Sequence, residues 1–222
     1  MINVVLTSGG LNSAILLYHV LHDCVVDSGS VYPLTIGYDQ SNYAAERSSL
    51  YELTMINLRG LVRPPLVHKL DIISRVKKQF PQFRVEEPPT YAPNLNMMMI
   101  SIAASVGEML SRNKEPVLIW SGISREKETR YWDCSEEFIN NINWSFSRNS
   151  ERKVRVITPF IRFDKNQMVR RGESLGVSFE STWSCIKGDR TVGPCGKCES
   201  CIDRKEAFES AMVEDPLERT KK

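Results

Sequence analysis

Two groups of residues carry types and spacings that could do chemistry. Cys185, Cys195, Cys198 and Cys201 follow the pattern C-x9-C-x2-C-x2-C, with Gly193, Pro194 and Gly196 supplying tight turns between the thiols. Four thiolates this close in sequence suit a closed tetrahedral zinc site with metal-sulfur bonds of about 2.3 Å. Two disulfides or an iron-sulfur cluster could use the same residues. Zinc is favoured because nothing marks the chain for export and no redox partner is evident. With sulfur in all four positions the metal would be structural. It would fix the segment Ser181-Thr182-Trp183-Ser184 against the rest of the protein.

The second group is Ser8-Gly9-Gly10-Leu11-Asn12-Ser13, placed where a first strand should give way to a helix. Backbone N–H groups at such a junction can converge on an anion, and the helix N-terminus adds a favourable dipole. Adjacent glycines allow phosphate close to the backbone, and the hydroxyls of Thr7, Ser8 and Ser13 add donors at the same mouth. Taken alone, Ser-Gly-Gly is equally a plain strand-to-helix turn. It is neither a Walker A loop, lacking Gly-Lys-Ser/Thr, nor a G-x-G-x-x-G dinucleotide fingerprint.

Other reactive types carry less. His19, His22 and His68 have no ligand spacing and are expected at the surface or in packing. Cys134 has no local activating group and is expected to be a buried structural thiol. Among Trp120, Trp132, Trp144 and Trp183, the last lies beside the cysteine cluster and is best placed to face a purine-like base.

The elements that must position these groups follow from periodicity. Ile2 to Leu6 reads as a strand, Ala14 to Leu21 as a helix, Val31 to Tyr38 as a strand and Ala44 to Gly60 as a helix. Pro81, Pro88, Pro89 and Pro93 mark a surface connection, with Pro93 suited to a helix start. Asn94 to Leu110 is apolar on nearly all faces, which predicts a helix buried against the sheet. Val117 to Trp120 is a buried strand, Asp133 to Ser147 an amphipathic helix, and Val154 to Ile157 a further strand. Asp164 and Gln167 form a capping box for a last helix that Gly176 closes. Beyond it, glycine, cysteine and charge replace periodicity, and the tail after Met212 should fray. The alternation predicts an α/β fold with a mainly parallel sheet of about five strands and helices on its faces.

The chain has 222 residues, 41% hydrophobic and 25% charged, which suits one large domain with a small appendage. Two units are expected: residues 1–180 as a nucleotide-binding α/β domain and 181–212 as a zinc-binding extension packed on it. The 29 basic residues against 27 acidic ones leave a net charge of +2, giving no footprint for nucleic acid. No signal sequence and no apolar run of about 18 residues is present, so a soluble cytoplasmic protein without membrane contact is expected.

Taken in order, the Ser8-Gly9-Gly10 loop, Thr182-Trp183-Ser184-Cys185 and the run PCGKCESCIDRKEAF from Pro194 to Phe208 resemble the 7-cyano-7-deazaguanine synthase (QueC) family. Its pattern ends in a similar TWSC, CGxC, SCxxR, AF sequence. Tyr131, Asp133 and Cys134, followed by Glu137-Phe138-Ile139, are similar to the family's YPDC and EFI, and Thr158-Pro159 also agrees. The first loop resembles the SGGxDS loop of the PP-loop ATP pyrophosphatases, with Asn12 at the acidic position.

The resemblance implies an adenine nucleotide alpha hydrolase-like fold that uses ATP, Mg2+ and Zn2+. It implies a carboxylate on 7-carboxy-7-deazaguanine activated as an acyl-adenylate and converted by ammonia to amide and then nitrile. Thr7, Ser8, Gly9, Gly10, Leu11, Asn12, Ser13, Ala14, Ile15, Leu16 and Leu17 would bind ATP, with Ser8, Asn12 and Ser13 taking part in catalysis. Gln40, Asn96, Tyr131, Asp133 and Trp183 would bind substrate, and a homodimer is expected.

Several positions depart from the family pattern. Asn12 replaces Asp, Leu95 stands where the family places Arg, Asn42 stands where a His follows Gln, and Lys127, Glu128 and Arg130 replace a less basic run. At position 12 an amide keeps the oxygen but loses the charge, leaving Mg2+ to be held mainly by nucleotide oxygens. These departures also fit a QueC-like paralogue, of the kind associated with bacterial antiviral systems, that uses another amine, a protein amine included, or stops at the amide. Nucleobase or tRNA thiolation is disfavoured by the metal-like cysteine cluster and the near-neutral charge. A non-catalytic nucleotide-binding protein is the remaining alternative.

Overall fold

The computed structural model describes residues 1–222 apart from 25–29, 56–61, 81–91, 93, 113, 126–130, 150, 152 and 219–222. The proline-rich connection, the end of the predicted second helix, and Lys127, Glu128 and Arg130 therefore lie outside the described residues.

Ile2–Leu6 forms β1, and its β-branched residues are buried as befits a central strand. It pairs in parallel with β2 (Ser30–Gly37) on one side and β4 (Val117–Trp120) on the other. β3 (Leu66–Lys69) extends the sheet beyond β2, and β5 (Val154–Ile157) beyond β4. The order is β3-β2-β1-β4-β5 with every pairing parallel, as the alternation of elements predicts. β3 escaped the sequence reading because it is a short edge strand whose side chains are largely exposed, so no apolar alternation marks it.

Helices cover both faces. α1 (Leu11–His19) runs into a π-helical turn over Val20–Cys24 and packs one face with α6 (Lys165–Ser174) and α7 (Glu199–Ala211). α2 (Tyr43–Met55) contributes Leu53 to the same cluster. α3 (Ile72–Gln79) follows the edge strand. α4 (Leu95–Leu110) and α5 (Glu136–Asn149) cover the other face.

α4 is not buried all round as its composition predicts. Ile100, Ala103, Ala104 and Gly107 meet the sheet, while Met97 and Met109 are exposed. The small residues set the contact, since a Cβ on Gly107 would overlap Val117 of β4. The capping box at Asp164 and Gln167 is present, with both hydrogen bonds made. Gly176 (φ 68°) closes α6 in a Schellman arrangement, with Val177 N–H on the Gly172 carbonyl at 2.9 Å.

The C-terminal part departs most from the sequence reading. α7 buries Arg204, Ala207, Phe208 and Ala211, a regular helical face that begins on an arginine and so escapes an apolar pattern. The tail after Met212 does not fray at once. Asp215 is buried and receives Arg204 through Nε (2.7 Å) and a terminal nitrogen (2.9 Å), a bidentate pair. The same guanidinium donates to Thr182 Oγ1 (2.8 Å) and to the Phe179 carbonyl (3.2 Å), tying tail, α7 and the Phe179–Ser184 segment together.

Removing one member of a buried ion pair leaves an uncompensated charge, at about 3–5 kcal/mol. Asp215→Ala should lower the unfolding free energy by about that much and the Tm by roughly 10 °C for a chain of this size. Urea and thermal unfolding measure it, and an unchanged midpoint would return the tail to the frayed state.

Candidate functional site

The chain leaves β1 toward β2 on one side and reaches β4 on the other, so β1 and β4 meet at a topological switch point. Beyond their C-terminal ends opens a cleft of about 550 Å3, a volume suited to a small-molecule ligand. Thr7, Ser8, Gly10, Leu11, Asn12, Ser13, Gln40, Asn96, Tyr131 and Trp183 all line it. Ala14, Ile15, Leu16 and Leu17 instead point into the core as the buried face of α1. Asp133 takes no part in the lining; its carboxylate accepts from Asn96 N–H at 3.1 Å and sets the start of α4.

The loop is held by its own hydroxyls. Ser13 Oγ accepts from Ser8 N–H (3.1 Å) and Gly9 N–H (3.2 Å), and Ser8 Oγ accepts from Gly10 N–H (3.1 Å). Two of these amides meet on Ser13 Oγ and the third on Ser8 Oγ, which lies 3.3 Å from it, and α1 begins immediately after with Gly10 as its N-cap. An anion bound there would replace the two hydroxyls as acceptor of the loop amides, at a helix N-terminus of the kind that phosphate sites use. Thr7 Oγ1, at the base of the loop, is buried without a hydrogen-bond partner among the described residues.

Gly9 adopts φ 91°, and a Cβ there would overlap the Glu46 carbonyl of α2. Its own carbonyl accepts Trp183 N–H at 2.9 Å. Trp183 is fully buried, its indole N–H donating to the Cys185 carbonyl at 2.8 Å and its ring packed with Ala45, Cys185 and Cys198, so it borders the cleft with almost no exposed surface. Across the switch point, Asn12 Nδ2 donates to Ser124 Oγ at 2.9 Å.

Several cleft residues were missed from sequence, Tyr38, Glu46, Ser124, Lys165, Asp203 and Arg204 among them, and Cys134, expected to be buried, is half-buried and lines the cleft. Lys165 opens α6 and pairs with Asp203 of α7 at 2.7 Å; its place just after the capping residue Asp164 was the available signal. Glu46, in the first turn of α2, accepts from Gln40 Nε2 at 3.1 Å and is also hydrogen-bonded by Asn42. Burial pushes its carboxyl up to about 7 against these two amides. Nearby Tyr38 is pushed to about 12, by burial first and by Glu46 second. Gln40 was expected to touch substrate; its amide nitrogen holds Glu46 and its carbonyl accepts Tyr38 N–H at 2.8 Å.

The four cysteines come together with every sulfur within 4.8 Å of the others. Cys198 lies 3.4 Å from Cys201 and 3.9 Å from Cys185, and Cys195 lies 4.0 Å from Cys201. These separations are far beyond a disulfide bond and bracket the ~3.8 Å edge of a tetrahedron with 2.3 Å metal-sulfur bonds. Backbone N–H groups of Gly188 (3.0 Å) and Cys195 (3.3 Å) donate to Cys185 Sγ and fix its position. N–H groups of Lys197 and Cys198 hold the Cys195 thiol down to about 6. The residues fit a four-sulfur metal site.

The family model for queuosine biosynthesis protein QueC matches residues 2–212. A 7-cyano-7-deazaguanine synthase from Methanoculleus marisnigri is 35% identical over 226 residues, covering 97% of each chain. The same-named protein of Archaeoglobus fulgidus is 33% identical over 96% of this chain and 88% of its own. Among solved structures, the U34-tRNA thiolase NcsA from Methanococcus maripaludis, with its [4Fe-4S] cluster, superposes with a TM-score of 0.51. It does so at 13% identity, over 95% of this chain and 64% of its own, a likeness of fold. Among the described residues no helix is long and apolar enough to cross a membrane.

The raised Glu46 carboxyl makes stability depend on pH. The unfolded chain releases this proton near 4.5 and the folded chain only near 7, so the folded state binds more protons between them. Stability from this group therefore falls as pH rises through that window and is untouched below it. In magnesium-free buffer Glu46→Gln should be more stable than the parent at pH 8, by up to roughly 3 kcal/mol, and equal to it at pH 4. Parallel denaturant titrations check this, and equal stability at both pH values would refute the raised carboxyl.

Proposed function

Because the chain belongs to the QueC family, we propose that it uses ATP to activate the carboxylate of 7-carboxy-7-deazaguanine and converts it with ammonia to 7-cyano-7-deazaguanine. The observation that carries this reading is the shared cleft. Ser8, Gly10 and Ser13 of the glycine loop line the same space as Asn96, Tyr131 and Trp183.

A carboxylate is a poor electrophile, and activation supplies a leaving group. The substrate carboxylate oxygen attacks the α-phosphorus of ATP, and pyrophosphate departs with the bonding pair. The loop amides and the α1 N-terminus stabilise the charge that collects on that departing group. Lys165, held by Asp203 at the cleft edge, is the cation placed to follow it. Ammonia then attacks the acyl carbon, AMP leaves and a proton is lost, giving the amide. A second ATP activates the amide oxygen, and loss of AMP and the amide protons gives the nitrile. The apolar lining from Leu34, Ile36, Met99 and Ile123 would receive the deazaguanine plane. Mg2+ accompanying ATP would neutralise phosphate charge.

Cys185, Cys195, Cys198 and Cys201 would hold Zn2+ in a structural role, with residues 181–212 acting as an extension on the 1–180 domain. Ala207, Phe208 and Ala211 from that extension share a core cluster with Ile15 and Met168. A homodimer in the cytoplasm completes the reading.

One observation favours a second reading. Leu95 and Asn12, both departures from the family pattern, line the cleft itself. A QueC-like paralogue that stops at the amide, or joins the activated carboxylate to another amine, including a protein amine, accommodates them.

Mass spectrometry of products from purified protein with ATP, Mg2+, 7-carboxy-7-deazaguanine and ammonium tests both. Nitrile with AMP is expected; amide or adenylate alone would select the paralogue, and no AMP at all would leave a nucleotide-binding protein. Elemental analysis should give one zinc per chain and no iron. Cys198→Ala should lose that zinc and most activity, because the Trp183 segment rests on the cluster; retained activity without zinc would sink the structural role.

A further inference from the structure

Among the described residues, the charged side chains lining the cleft are Glu46, Lys165, Asp203 and Arg204. Lys165 pairs with Asp203, and Arg204 with Asp215. Glu46 has no cationic partner among the described residues; its carboxyl meets only the neutral amides of Gln40 and Asn42.

Its place gives that imbalance a meaning. Glu46 Oε1 lies 3.8 Å from where a Cβ on Gly10 would stand, so the carboxyl faces the loop whose amides attract anions. Gly9 packs on the backbone of Glu46 itself, so loop and carboxyl cannot drift apart. A triphosphate on that loop would be repelled by the carboxylate unless a cation stood between them. Mg2+ in nucleotide sites is commonly held by one or two carboxylates plus the phosphates. The loop supplies no carboxylate of its own, and the Asn12 amide nitrogen is engaged with Ser124.

We propose that Glu46 of α2 is the protein's carboxylate ligand for the divalent cation that accompanies the nucleotide, in place of an acid at loop position 12. The assignment rests on the nucleotide reading of the cleft. Because burial leaves the carboxyl near 7, a bound cation is enough to fix it in the charged form.

The test is calorimetric titration of the zinc-loaded chain with α,β-methylene-ATP, with Mg2+ and in Mg2+-depleted buffer. In the parent protein Mg2+ should tighten binding at least tenfold. Glu46→Gln should bind the metal-free nucleotide as well as the parent or better, while its Mg2+ gain falls below about twofold; even supporting contacts around a metal are worth about 10–100-fold. Glu46→Asp, which keeps a carboxylate, should recover part of the gain. A Gln variant with the full Mg2+ gain would overturn the assignment while leaving nucleotide binding intact. Equal loss of affinity with and without Mg2+ would also overturn it, making Glu46 a metal-independent support of the loop. Glu46-dependent Mg2+ gain without any deazaguanine product would uphold the assignment and reject the proposed substrate.

Discussion

Gly9 is the joint on which the site depends. Its positive φ turns the loop, its missing side chain lets the loop lie on the α2 backbone, and its carbonyl receives the Trp183 amide. Three parts of the chain that are distant in sequence therefore meet at one residue. An alanine would bring both an unfavourable left-handed backbone and a clash with a helix carbonyl that cannot rotate away. The geometry of the amides, the position of the α2 carboxyl and the seat of the indole are thus one constraint seen from three sides.

The C-terminal segment secures the third side by means other than an apolar core of its own. The cysteine cluster lies beneath Trp183, and the indole N–H closes onto the Cys185 carbonyl. Arg204 gathers the tail, Thr182 and Phe179 around one guanidinium, and its planar fork meets Asp215 through two hydrogen bonds. A lysine could not make this set, because a single ammonium cannot present parallel donors to a carboxylate and also reach two further acceptors at separate angles. Metal-like geometry and a buried ion pair do here what packed side chains do elsewhere in the sheet.

What could be read from sequence follows this division. β1, β2, β4 and β5 are short apolar runs, and the capping box and Gly176 are local signals with a local cause, so each was legible. The cysteine spacing was legible for the same reason. β3 was not, because an exposed edge strand needs no apolar alternation, and neither was α7, whose buried face starts with Arg204. Glu46 was illegible for a different reason. A glutamate in the first turn of a helix is ordinary by itself, and only the packing of that turn against Gly9 turns it toward the cleft. The glycine turn between β1 and α1 could be found from its own residues, but the groups facing it come from other elements and needed the tertiary structure.

The charge pattern of the cleft follows from that same packing. At about 5 Å and an effective dielectric of about 20, two unit charges interact by about 3 kcal/mol. An acid within the loop would set that repulsion against the loop amides themselves, whereas Asn12 leaves the loop uncharged and spends its amide on Ser124 across the switch point. Placing the negative charge on α2 moves it off the loop onto the helix packed beside it, where Gln40 and Asn42 orient it without neutralising it. A phosphate on the loop would then meet no opposing charge within it, and the neighbouring carboxylate would become favourable only with a cation between the two. On the proposed nucleotide reading, binding of the nucleotide and of its metal would be coupled, because the carboxylate and the phosphates each leave the other unsatisfied without a cation.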